Sequence, residues 1–196
     1  MRSIKLSLAV TVASLMSAGA FAATAAEQDQ QRDVNQQQRI EQGLKSGELS
    51  THEAGRLESE QQHVDRMESR DLKDGHLSAG EQLRLDKAQN AASADIYKQK
   101  HDAQTGKPGS ASSQRMQADV QRNANQQQRI QNGMENGSLT NREAGRLEAG
   151  QARVDRKETR AAADGHVGPG EERHIQRSEN RQSRSIYGKK HNVRAK

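Results

Sequence analysis

Gly47-Glu-Leu-Ser50-Thr-His-Glu53-Ala-Gly-Arg-Leu57-Glu-Ser-Glu-Gln-Gln-His-Val64-Asp-Arg-Met67 is the stretch that sets the fold class. Gly47 suits the left-handed backbone that closes a helix, Ser50 is an N-cap, and Glu53 completes a capping box with it. Leu49, just before the cap, can staple to Ala54. Behind this start signal Ala54, Leu57, Val64 and Met67 fall within about 140° of one another on a helical wheel, with no strand-like alternation. A helix therefore opens at Ser50. The same grammar recurs at Gly75, Leu77, Ser78 and Glu81, followed by a stripe of Leu85, Ala88, Ala92 and Ile96. Upstream, Val34, Ile40 and Leu44 mark a first helix rich in glutamine.

The whole unit then returns. Residues 33–102 align without a gap with residues 123–192, at an offset of 90, with 32 identities in 70 positions. Asn35–Ile40 reappears as Asn125–Ile130, Glu53–Glu58 as Glu143–Glu148, and Asp74-Gly-His76 as Asp164-Gly-His166. Gly137, Leu139, Thr140 and Glu143 restate the first junction. The last junction, Gly168-Pro169-Gly-Glu171, puts proline at the first helical position, which still starts a helix. Helices are predicted over 29–45, 50–72 and 78–98, and over the same spans plus 90. The expected fold is all-α, two tandem three-helix modules over 23–101 and 118–196. Residues 102–117, rich in Gly, Ser and Pro, read as a flexible linker.

The N-terminus carries a different signal. A basic stretch from Met1 to Lys5, an apolar run from Leu6 to about Ala18 and the small-x-small pattern Ala20-Phe21-Ala22 predict a cleaved secretory signal peptide over 1–22. The run is short for a membrane span and no second one follows, so the chain is expected not to span a membrane and to be periplasmic or secreted. There is no cysteine, which excludes a disulfide framework and thiolate sites. Beyond the signal, Tyr97 and Tyr187 are the only aromatics. With 29% charged residues the core is sparse, and modest stability is expected. Residues 23–117 carry 13 Lys and Arg against 16 Asp and Glu, net −3, whereas 118–196 carry 16 against 10, net +6. The second module, ending in the basic tail Tyr187–Lys196, could face an anionic surface.

Two kinds of chemistry are worth weighing. Asp74-Gly75-His76-Leu77-Ser78-Ala79-Gly80-Glu81 resembles the second half of an EF-hand calcium loop, and Asp164–Glu171 matches it equally. The first half departs: Arg70 and Leu72, then Arg160 and Ala162, stand where carboxylates or amides are wanted. Asp74, His76, Glu81, Asp164, His166 and Glu171 are the candidate metal ligands, for a weak divalent cation and no other cofactor. His101, His191, His52, His63 and His174 form no zinc-site spacing. Met67, Met116 and Met134 are too few for a copper-handling surface. Arg56, Arg66 and Arg70 recur as Arg146, Arg156 and Arg160, but Glu53, Glu58, Asp65 and Glu68 are expected to dilute them on a mixed solvated face. Without stacking aromatics, specific nucleic-acid binding is not expected. No nucleophile elbow or cofactor loop supports catalysis.

The chain resembles small exported proteins of Gram-negative bacteria that share the Asn-Gln-Gln-Gln-Arg-Ile start, the Glu-Ala-Gly-Arg-Leu-Glu helix and the Asp-Gly-His loop. The resemblance covers both modules. It implies location and repeat architecture and supplies no catalytic residues. The leading expectation is a non-enzymatic interaction protein of the cell envelope, stress-related, acting on a protein partner. The alternatives are a weak divalent-cation binder through the EF-hand-like loops and an electrostatic binder of an envelope polyanion.

Overall fold

The computed structural model describes residues 24–192. The expected signal peptide and the end of the basic tail lie outside them. Among the described residues the chain is all-α, with helices α1 (Ala25–Ser46), α2 (Thr51–Asp71), α3 (Ala79–Lys100), α4 (Ala111–Glu135), α5 (Asn141–Ala161) and α6 (Pro169–Lys190), and no strand. Leu72–Asp74 adds one 3-10 turn after α2.

The junction signals act as read. Ser50, Ser78 and Thr140 cap α2, α3 and α5, and Glu53, Glu81 and Glu143 close the capping boxes. Gly168 and Pro169 open α6. Gly47, Gly75, Gly137 and Gly165 take positive φ, the conformation that stops a helix and that a Cβ would penalise. α1 begins earlier than expected because Thr24 and Glu27 form a further capping box.

The segment between the repeats differs from its expected course. Ser110 caps α4, so residues 111–117 are helical, and Ser112, Ser113 and Met116 are buried. The remainder is docked rather than free. Gly106 N–H donates to the Gly47 carbonyl at 2.8 Å, and Gln117 Nε2 donates to the Pro108 carbonyl at 3.0 Å. Of the expected linker of 102–117, residues 102–110 are a largely exposed turn tied down at Gly106 and Pro108, and 111–117 begin α4.

Helix pairing crosses between the repeats. α2 runs along α5 and α1 along α4, each more extensively than any two helices pair within one repeat. α3 and α6 flank this central four-helix unit, α3 against α1 and α2, α6 against α4 and α5. The apolar core follows the same plan: one cluster joins Leu57 and Ile96 to Met116, Val154 and Ile175, and another joins Ala26 and Leu72 to Ile130, Leu147 and Ile186.

Glycine permits the closest approach. A Cβ on Gly55 would lie 2.4 Å from Ala162 Cβ, and one on Gly145 would lie 2.8 Å from Leu72 Cβ. Gly55 and Gly145 are equivalent in the two repeats, as are Leu72 and Ala162, so an approximate two-fold axis passes between α2 and α5. Gly55→Ala is expected to destabilise the fold by about 1–3 kcal/mol through overpacking. Gly80→Ala, at an open exposed position, should be neutral or mildly stabilising. Thermal melts by circular dichroism check both, and an unchanged Gly55→Ala melt would refute the tight crossing.

Candidate functional site

The EF-hand-like loops do not converge on a ligand position. Asp74 and His76 are exposed, and Asp74 Oδ1 accepts from His76 N–H at 2.9 Å. Glu81 Oε2 accepts from Ser78 N–H at 2.9 Å and Ser78 Oγ–H at 2.7 Å, and these Ser78 hydrogen bonds hold its carboxyl below the usual range. Repeat two does the same: Asp164 Oδ1 accepts from His166 N–H, and Glu171 Oε2 from Gly168 N–H, at 2.9 and 2.8 Å. These six residues work as turn and cap. His101 and His191 stack on Tyr97 and Tyr187 with ring centroids 4.1 Å apart, and each Nδ1 bonds the tyrosine carbonyl.

The acids that matter point inward. Twelve of the chain's 26 Asp and Glu residues are buried, whereas no Lys, Arg or His is buried among the described residues. This inverts the expectation for Glu53, Glu58, Asp65 and Glu68, which are in the interior and not on a solvated face. Helix phase explains it. From Leu57, positions 61, 64, 65 and 68 fall on one stripe, so Gln61, Asp65 and Glu68 share the inward face with Val64.

Two buried carboxylate triads form, one within repeat one and one across the repeats. Asp33, Asp65 and Glu68 bring one oxygen each within 4.8 Å of one another, and Glu58, Asp155 and Glu158 do likewise. The second triad takes Glu58 from repeat one and the other two from repeat two. Its repeat counterpart, Glu148, acts on Asp65 and Glu68 of the first by charge repulsion. The two sites are therefore related by the approximate two-fold, with Asn123 standing where the first site has Asp33.

Burial dominates the electrostatics. Removal from water pushes Asp33 and Glu58 up to about 7 and Glu148 up to about 8. It also raises Asp65, Glu68, Asp155 and Glu158 well above the usual carboxyl range, with neighbouring carboxylates adding to the effect. Asp33 hydrogen-bonds Glu68, Glu58 hydrogen-bonds Glu158, and Asp155 hydrogen-bonds Asp65. Such a contact requires one carboxyl of each pair to hold a proton.

Amides surround the acids. Gln30 Nε2 donates to Glu68 at 3.1 Å, Gln37 Nε2 to Glu58 at 3.0 Å, Asn123 Nδ2 to Glu158 at 2.7 Å and Gln127 Nε2 to Glu148 at 3.1 Å. Each leaves its own amide oxygen without a partner. Asp65 Oδ2, Asp155 Oδ2, Glu58 Oε1 and Glu158 Oε1 likewise have no amide or hydroxyl donor. A half-turn of any of these amides exchanges an N–H for an oxygen ligand. No family model, curated protein or solved structure matches the chain.

This arrangement can offset its charge in two ways. In one, protons sit on the paired carboxyls. In the other, a cation takes their place, because oxygens that ligate one ion at 2.3–2.6 Å lie at most about 5 Å apart, the spacing already present. The sequence held one usable signal: Glu58, Asp65 and Glu68 recur unchanged as Glu148, Asp155 and Glu158.

Proposed function

We propose that this chain is a non-enzymatic, exported cation-binding protein that holds a hard, oxygen-preferring metal ion, of the Ca²⁺ or Mn²⁺ kind, in each of two buried carboxylate sites, one within repeat one and one spanning the repeats. The observation that carries this reading is the pair of buried carboxylate triads with no buried cationic side chain among the described residues. Of the readings that the sequence leaves open, divalent-cation binding is the one these groups support. The ligands are Asp33, Asp65 and Glu68, and Glu58, Asp155 and Glu158, rather than the loop residues.

The donor set selects the ion. Carboxylate and amide oxygens without sulfur or imidazole favour hard cations over copper or zinc. Binding displaces the shared protons, so affinity rises with pH. Export rests on the N-terminal sequence, and no helix among the described residues is long and apolar enough to cross a membrane.

Calorimetric titration of metal-free protein at pH 7.5 in two buffers of different ionisation enthalpy tests the reading. Ca²⁺ or Mn²⁺ is expected to bind with release of protons and to raise the melting temperature. The stabilisation should be about 2.7 kcal/mol at 100 times Kd. The absence of both heat and thermal shift with every hard cation would sink the proposal.

A further inference from the structure

The exposed side of α5 is as cationic as its inner side is acidic. Three adjoining surface depressions run along it, toward α2 on one side and α6 on the other, and all three share Arg153. Arg66, Arg146, Arg156, Lys157 and Arg181 also line them, and no carboxylate does. Arg66, Arg146, Arg153, Arg156 and Arg181 make no ion pair among the described residues. The acids next to them in sequence, Asp65, Glu148, Asp155 and Glu158, face the core and leave this charge uncompensated.

The repeat supplies an internal comparison. The α2–α3 groove of repeat one is built from the equivalent positions, yet it carries Glu60, His63, Ala91 and Asp95 where the α5–α6 groove has Gly150, Arg153, Arg181 and Ser185. Glu60 hydrogen-bonds Asp95 across the first groove, and burial with that contact pushes it up to about 7. On the α5–α6 side, partial burial and then Arg181, Arg156 and Arg177 lower Lys157. Shared architecture does not demand this positive face, since the same backbone elsewhere in the molecule bears the opposite sign.

We infer that the α5 face is a peripheral docking surface for a membrane leaflet rich in anionic phospholipid, with the arginines pairing phosphate groups. Planar guanidinium forks match phosphate oxygens bidentately. From Arg142 to Arg156 the cations span about 21 Å of helix. The depressions share lining residues along this length, so their cations form one row, which suits an array of headgroups better than one enclosed small anion. The described residues of this face include no exposed large apolar side chain, since Leu83, Tyr97 and Tyr187 lie elsewhere. Attachment is therefore electrostatic, reversible and sensitive to salt. It does not depend on whether the buried carboxylates hold metal or protons.

Co-sedimentation with phosphatidylglycerol vesicles and with neutral phosphatidylcholine vesicles tests this, using the full mature protein at low and physiological salt. Binding is expected only to the anionic vesicles and should weaken as salt rises. The variant Arg153→Gln, Arg156→Gln, Arg181→Gln should lower partitioning by a factor on the order of 100 while keeping the wild-type melt. The variant Lys87→Gln, Lys98→Gln, Lys107→Gln removes the same net charge elsewhere and should retain most binding. Equal loss in the two variants would reduce the effect to net charge and overturn the docking face. So would no wild-type binding to anionic vesicles, or saturable binding of soluble tripolyphosphate without vesicle binding.

Discussion

Raising the pH from 5 to 8 is expected to lower the melting temperature of the metal-free protein, and adding Ca²⁺ or Mn²⁺ at pH 8 should restore it. Most proteins lose stability toward acid because ionised, paired carboxylates must be protonated. Here the folded state holds the protons. Burial pushes Asp29 to about 6, Asp33, Glu58 and Glu179 to about 7, and Asp119 and Glu148 to about 8. Unfolded, the same carboxyls ionise near their ordinary values of about 4. Between pH 4 and 8 the folded state thus binds more protons than the unfolded one, so the stability from these groups is complete below about pH 4 and is lost as pH rises through about 7 to 8.

The magnitude makes the effect visible. A shift of about three units is worth roughly 4 kcal/mol for one group, and marginal folds have only about 5–15 kcal/mol in total. A core in which all these carboxyls were ionised without a counterion would exceed that margin. Metal-free protein must keep protons or open, whereas metal-loaded protein can ionise. Melts across pH with chelator and with Ca²⁺ or Mn²⁺ provide the check. A metal-free melting temperature that rises from pH 5 to 8 would show that the acids are not buried as described.

The double variant Asp65→Asn, Asp155→Asn should abolish the response to Ca²⁺ or Mn²⁺ and flatten the pH dependence. These two residues are repeat equivalents, one in each triad, and hydrogen-bond each other near the two-fold axis. Asparagine keeps the shape and removes the ionisable group. A loss of at least about 100-fold in cation affinity is expected, with metal-free stability at pH 8 equal to or above wild type. A variant that still binds the cation with wild-type affinity would move the site elsewhere. Restoring either aspartate alone should recover one binding event of the two.

What the sequence disclosed was local. Ser50 with Glu53, Ser78 with Glu81, and Thr140 with Glu143 are signals complete within four residues, and each marks a helix start. The capping pair Thr24 and Glu27 was equally available in sequence. Pairing of α2 with α5 was not, because nothing in an amphipathic stripe says which other stripe it meets. The site was hidden for a related reason. Reading Glu58, Asp65 and Glu68 by polarity places them outside, where acids usually are, although their phase with Leu57 and Val64 places them inside. Asp74 and Glu81 drew attention because their spacing suggested a loop, yet that spacing serves a turn and a cap.

The reciprocal contacts of Gly55 with Ala162 and Gly145 with Leu72 describe a dimer written on one thread. Each half contributes half of a core, and the second triad draws its acids from both halves. Were the halves separate chains, their assembly would depend on abundance, and dilution would expose the first triad and take the second apart. A ten-residue tether instead keeps the halves at an effective concentration on the order of millimolar. Duplication within one chain has thus made the sites independent of how much protein is present. It has also freed the two outer faces to diverge, which identical subunits could not do.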